Sequence, residues 1–463
     1  MAFETELYYD VVLKYCIGCH DGSKEGRPSF ADPKKAYDNI HPFVHRPGPE
    51  TDMDVMPPYE YHVSTSELWK MLVEKGHYNV KLDEEAKERI ASWIDLNAPW
   101  RGKWERPEQA ERRLELSRLY AGVSEDYESD FDRQLEEARS KPKPEFIKPE
   151  PFVKPTDTLS AENWPFDEAK AKQLQETALA GGAARKTIEL ENGAAINFVR
   201  IPAGTFVMGS LDGYPDENPR SVVTIDKPFW MSETEITNEQ YAAFNPDHDT
   251  RYLDEHGKDH IVPGYIANHP KQPVARVSWL EAQEFVAWLA ETHDCAAALP
   301  TEAQWEWAAR AGSGEKFFFG PFEADFSPYA NLADSDRRFL YAQWESPATI
   351  HVRNPYPEDS VFPLRDDRFK DNWFVVDYVA QTKPNAWGLY DMIGNVSEWT
   401  RSDYAAYPYV GGDGRNDGDA TAKKTARGGS WADRPKVTGS ATRYGYLPWQ
   451  KVYNVGLRVI LEE

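Results

Sequence analysis

Two thiols and an imidazole stand within five residues at Cys16-Ile17-Gly18-Cys19-His20. Thiols three positions apart can bond the two vinyl groups of one porphyrin, and the histidine that follows then reaches the iron as proximal ligand. C-x-x-C-H is the attachment pattern of a c-type haem. Two other chemistries use a C-x-x-C pair. A redox dithiol needs a βαβ setting, and no such pattern surrounds residue 16. A zinc site needs a second ligand pair nearby, and the third and last cysteine is Cys295.

Three residues compete for the position opposite His20. The ligand is expected in the loop before the last helix of a small haem domain. There, in Gly76-His77-Tyr78-Asn79-Val80-Lys81, His77 is the one strong ligand. Met56, in Met56-Pro57-Pro58, has the local look of a methionine loop but comes one helix early; His62 is the third candidate. Methionine ligation would raise the reduction potential relative to bis-histidine. The expectation is a low-spin bis-histidine site, His20 with His77, and Met56 and His62 are the alternatives.

Helices must hold these groups. Leu7, Val11 and Tyr15 recur every four residues and form one apolar stripe ahead of the motif. Ser64-Thr65-Ser66-Glu67 reads as a capping box opening a helix through Leu68, Leu72 and Val73. Asp83 caps a last helix whose inner face is Ala86, Ile90, Trp93 and Ile94. This order resembles the single-haem class I cytochrome c family over residues 1–103, in particular its planctomycete-type members and the haem-bearing middle domain of the hydrazine synthase alpha subunit.

The chain carries 53 Lys and Arg against 77 Asp and Glu, a formal charge of −24. Such a surface argues against nucleic acid and anionic lipid as partners. No run is apolar and long enough to cross a bilayer. Met1 to Asp10 lack the basic start and apolar core of a signal peptide. Haem c is attached outside the cytoplasm, so the motif implies an exported, periplasm-like location and a leader that this sequence does not display. Residues 104–182 are charged and proline-punctuated. Helices are expected between Arg106 and Glu137, with Leu114, Leu116 and Leu119 as a limited apolar stripe, and again over Asp167–Ala178. Between them, Lys141-Pro142-Lys143-Pro144 to Lys154-Pro155 reads as an extended strap that only spaces two domains.

In residues 183–463, Phe198 to Ser210 alternates and turns like a strand pair. Capping boxes open three helices at Thr237–Gln240, Ser278–Glu281 and Thr301–Gln304. Five motifs follow in order: Glu235-Ile-Thr-Asn-Glu-Gln-Tyr241, Pro273-Val-Ala-Arg-Val-Ser-Trp279, Leu299-Pro-Thr-Glu-Ala-Gln-Trp-Glu-Trp-Ala-Ala-Arg310, Gly388-Leu-Tyr-Asp-Met-Ile-Gly-Asn-Val-Ser-Glu-Trp399 and Arg427-Gly-Gly-Ser-Trp431, with Gly456-Leu-Arg458 at the end. Together they resemble the formylglycine-generating enzyme (sulfatase-modifying factor) family. The fold class expected for the whole chain is therefore α+β multidomain: a small all-α haem domain, a Pro-rich connector and a C-type-lectin-like unit low in regular structure.

The resemblance implies a copper site made by two cysteines that oxidise a sulfatase cysteine. The matching positions here are Asp433 and Thr438, and no cysteine follows Cys295. A carboxylate and a hydroxyl do not replace paired thiolates for copper(I), so formylglycine generation and a sulfatase substrate are not expected. Cys295 reads as a small buried apolar residue. Trp431 and Arg443 join Asp433 and Thr438 as pocket candidates. A related branch uses a three-histidine iron centre, but His248, His256, His260, His269, His293 and His351 show no such set. The resemblance also implies one or two calcium sites: Asp391, Gly394, Val396 and Glu398 for the first, Asn331, Leu332, Asp371 and Trp373 for the second, all presenting the hard oxygen that calcium takes. The expected function is electron transfer to a redox partner protein, with the large domain as a docking platform. The rivals are an oxidoreductase with new chemistry in the lectin-fold pocket and a glycan-binding module.

Overall fold

The computed structural model describes residues 2–24, 27–44, 63–100, 127–253, 265–335, 342–346, 349–352 and 366–463, with 112, 115, 116 and 119. Two compact units divide the chain between Phe152 and Val153.

The first unit is helical. Its opening helix, Phe3–Cys16, buries Leu7, Val11 and Tyr15 as the stripe requires. It winds wide at its end, where the Ile17 N–H reaches back five residues to Val12 O at 3.0 Å, and it delivers the chain directly into the thiol turn. Asp32 caps Pro33–Ile40 through the Lys35 N–H. Asp83 caps Glu84–Asp95 through the Ala86 N–H at 2.8 Å, and Ala86, Ile90, Trp93 and Ile94 are all buried. Phe3, Tyr37 and Trp93 close the core, with Phe3 5.4 Å from each of the other two rings. The middle helix differs from expectation. It starts at Glu67 with Ser66 as N-cap. Ser66 N–H donates to Val63 O, a turn that takes up Ser64 and Thr65 before the helix begins.

The connector is shared between the units. Tyr127–Ser140 is helical, and the chain then runs extended to Phe152 within the first unit. Leu116 and Leu119 are exposed rather than forming a stripe against a neighbour, and Leu114 lies outside the described residues. Beyond Val153 the chain belongs to the second unit. Asp167 caps Glu168–Leu179, and Ala171 of that helix is fully buried. Trp164 and Phe166 pack on the second unit's core, so this half is part of a domain rather than a spacer.

The second unit is mixed α/β with little regular structure. A five-stranded sheet runs Arg185–Glu189, Ala195–Ile201, Phe229–Ser232, Ile460–Leu461, Ala297–Ala298. A four-stranded sheet runs Arg443–Tyr446, Lys424–Arg427, Ser397–Asp403, Val455–Leu457, its last pair parallel. Ala195–Ile201 and Gly204–Met208 are both strands but not a pair: the latter pairs with Ser221–Ile225. Pro202 between them brings no ladder donor, and the Trp307 indole N–H takes its carbonyl at 2.8 Å. All three capping boxes form. Loops are pinned by buried tryptophans whose N–H groups find carbonyls: Trp279 on Thr400, Trp399 on Val277, Trp387 on Ala171.

Candidate functional site

In the first unit, Cys16, Cys19 and His20 sit on one tight turn. Cys19 N–H and His20 N–H both donate to Cys16 O at 3.1 Å. Both thiols are half-buried and outside any disulfide. His20 is oriented by its Nδ1, 3.0 Å from Pro28 O, and by Phe30 stacked on its ring at 4.4 Å. That leaves Nε2 as the outward nitrogen, the arrangement a metal-ligating imidazole uses.

His77 faces His20. The ring centroids are 6.2 Å apart and the planes 19° from parallel. That is too far for face contact. At that separation His20 and His77 would hold a metal-bearing group between them as neutral imidazoles. Burial holds the His20 imidazole below its ordinary pKa, and burial with His20 and Arg27 nearby holds His77 down to about 4. Both rings are therefore neutral at pH 7, the form that ligates. The residues fit a bis-histidine haem c. Met56 and His62 lie outside the described residues.

In the second unit the positions matching the copper thiols hold other chemistry, Asp433 half-buried and Thr438 buried. Asp433 turns back on its own loop: one carboxylate oxygen accepts from the Ser430 N–H at 3.0 Å and the Ser430 hydroxyl at 2.7 Å. Thr438 is fully buried, its side chain filling the space where Gly429 lacks a Cβ. Trp431 is buried, with its ring edge-on to Tyr453. Arg443 is no pocket residue. It is buried against Glu302 and carbonyls of Asp216 and Ala405, in a cluster with Arg427, Glu306 and Arg310. Elsewhere, a groove of about 640 Å³ is lined by residues 222–229, Thr301, Arg401, Tyr409 and Glu462, and by none of the four pocket candidates. Cys295 is half-buried rather than buried, its thiol facing Leu289 O.

Among the described residues no three His, Cys, Asp or Glu side chains converge as a metal-holding group, so a calcium site here must draw on amide and carbonyl oxygens. At the first expected site, Asp391 and Glu398 are buried and already engaged. Asp391 accepts from Ala380 N–H and the Thr382 hydroxyl; Glu398 accepts from Arg458 and the Trp305 indole. Glu235, which sequence reasoning missed, adds a third buried carboxylate, on Asn395 and the Val396 N–H. Burial, then Asp391 and Glu398, push Glu235 well above its ordinary range. Gly394 is obligatory here: its φ is +85°, and a Cβ would fall 2.1 Å from Asn331 O. At the second site Asp371 accepts from the N–H groups of Leu332 and Trp373. Asn331, however, leaves its buried Oδ1 without a donor, and so does Asp377 with Oδ2. Both residues are tied to the same Asn395 Oδ1, through Asn331 Nδ2 at 3.3 Å and the Asp377 N–H at 2.9 Å. Two unpaired hard oxygens beside one amide suit a cation. Asp377 carried no motif signal; only the fold brings it here.

The model of the sulfatase-modifying factor enzyme 1-like domain matches residues 185–463. The inactive Cα-formylglycine-generating enzyme 2 of Bos taurus is 28% identical over 321 residues, covering 58% of this chain and 90% of its own. The formylglycine-generating enzyme of Streptomyces coelicolor is 27% identical over 278 residues, covering 50% and 78%. Among solved structures, PvdO from Pseudomonas aeruginosa matches over 61% of this chain and all of its own, at 23% identity and a TM-score of 0.43. With its five ordered motifs and a family match over most of its length, the chain belongs to the sulfatase-modifying factor, or formylglycine-generating enzyme, family.

Proposed function

We propose that this chain is an exported c-type haem electron-transfer protein whose family domain, stripped of the copper thiols, serves as a binding platform. The observation that carries the reading is the facing pair His20 and His77, 6.2 Å apart beside two unpaired cysteines. A haem c bound there supplies one-electron chemistry. The protein's own residues do the rest. Cys16 and Cys19 would tether it, His20, oriented by Pro28 O, would ligate it, and so would the half-buried His77 from its partly exposed loop. A basic electron carrier suits the charge of −24 as partner. Voltammetry of the exported protein should give one reversible one-electron wave; protein without a redox response overturns the reading.

For the second unit, a carboxylate tied to Ser430 and a buried hydroxyl in place of two thiols support loss of the family's oxidase chemistry, as does likeness to a bovine relative named inactive. A peptide bearing a sulfatase cysteine motif, incubated with this protein and copper, should keep its thiol; aldehyde formation would contradict this.

Calcium is proposed at the orphaned oxygens of Asn331 and Asp377, with the backbone around Leu332. An ion present at about 100 times its Kd stabilises by roughly 2.7 kcal/mol. Chelation should then lower the melting temperature by about 4 °C for a unit of roughly 300 residues, and Asp377→Asn should remove most of that difference. A melting temperature indifferent to calcium and chelator refutes the site.

A further inference from the structure

The proline-punctuated segment expected to act as a spacer touches both sides of the His20–His77 pair. Four contacts, all within the first unit, define it. Ile147 N–H donates to Lys14 O at 2.8 Å, at the end of the helix that carries Cys16. The Phe146 ring lies on the thiol turn itself: a Cβ added to Gly18 would sit 2.2 Å from its Cε1. Gly18 has no positive φ, so the glycine between the two cysteines is required by this ring and not by its backbone. On the other side, Asn79, two residues after His77, donates from Nδ2 to Glu150 O at 3.3 Å and Pro151 O at 3.2 Å. The Tyr78 and Phe152 rings meet edge-on at 5.3 Å. Tyr78 and Asn79 both hold left-handed backbone, with φ of 46° and 63°. Asn tolerates that conformation better than Tyr, and the turn carries its own bond from the Val80 N–H to His77 O at 2.9 Å beside the contacts from the strap. Pro144, Pro149 and Pro151 keep the segment extended at little entropic cost.

We propose that residues 146–152 form a clamp that fixes the His77 loop at ligating distance from His20, with Phe146 and Asn79 as positioning residues. The proposal rests on the haem reading. Seven residues grip the proximal turn at one end and the distal loop at the other, so the spacing of the two imidazoles is set by the strap. Release of the strap frees the His77 loop and opens the sixth position to an outside ligand.

The test uses full-length holoprotein and carbon monoxide as probe of the open position. Haem content is first measured on the wild type by the pyridine haemochrome method. Absence of covalent haem there defeats the haem reading, and the clamp with it. With haem present, the double variant Phe146→Ala/Asn79→Ala should bind carbon monoxide in the reduced state at least about tenfold faster than wild type, from loss of a hydrogen-bonding and an aromatic contact. Its reduction potential should shift while its folded circular dichroism is kept. Phe146→Leu should stay near wild type. Where the double variant fails to incorporate haem, Asn79→Ala alone reads the same rate. A loaded variant with wild-type carbon monoxide kinetics and potential overturns the clamp.

Discussion

If Cys16 and Cys19 carry a haem as proposed, replacing His77 with alanine is expected to keep that group covalently attached and to remove one of the residues that would ligate it. The oxidised protein should change from a low-spin to a high-spin spectrum. The reduced protein should bind carbon monoxide stoichiometrically, where the wild type does not. The reasoning is geometric. The His77 ring lies 6.2 Å from that of His20, with planes 19° from parallel, so the two imidazoles could hold one group between them. Its neutral state follows from burial and from His20. A tether through Cys16 and Cys19 would not depend on it, so attachment would survive. An unchanged low-spin spectrum in His77→Ala would assign the distal ligand to another residue, with Met56 and His62 first in line.

Arg427→Met should destabilise the second unit by about 3–5 kcal/mol, read by denaturant unfolding. Arg427 is fully buried and bridges Glu302 at 2.9 Å and Glu306 at 2.5 Å. It also donates to the carbonyls of Ser440 and Ala441. Removing it strands part of two buried carboxylates and two carbonyls, although Arg443 and Arg310 still serve one carboxylate each. The loss should depend on pH. Burial alone would raise Glu306, but Arg310 and Arg427 outweigh it and hold the carboxyl below its ordinary range. A depressed carboxyl contributes stability that is fully present above its unfolded pKa and is lost as pH falls through the folded one. The penalty of Arg427→Met should therefore be largest near neutral pH and shrink in acid. A penalty under about 1 kcal/mol, the scale of an exposed pair, would contradict the buried bridge.

Local chemistry was legible in the sequence. Thr237, Ser278, Thr301, Asp83 and Asp167 cap the helices they were expected to open, because a cap is settled by a few neighbouring residues. The sequence also marks Cys16, Cys19, His20 and His77 as candidates, and the fold brings the two imidazoles within 6.2 Å. What escaped was what distant segments do to one another. Nothing near Arg443 in sequence says that its partner is Glu302, so a core ion pair was taken for a pocket residue. Nothing near Gly18 says that Phe146 will cover it. The strand after Pro202 was legible as a strand, but its partner was decided by Trp307 taking the Pro202 carbonyl. The expected capping box at Ser64 does not open the helix: a turn closed by the Ser66 N–H on Val63 O takes up Ser64 and Thr65, and Ser66 stands at the N-cap without a side-chain cap bond.

The account is tested most directly by the mass of the intact protein after export from cells that attach haem c. It predicts a polypeptide heavier by one haem, and the bare polypeptide mass in Cys16→Ser/Cys19→Ser. A folded, exported wild type whose mass is that of the polypeptide alone would contradict it.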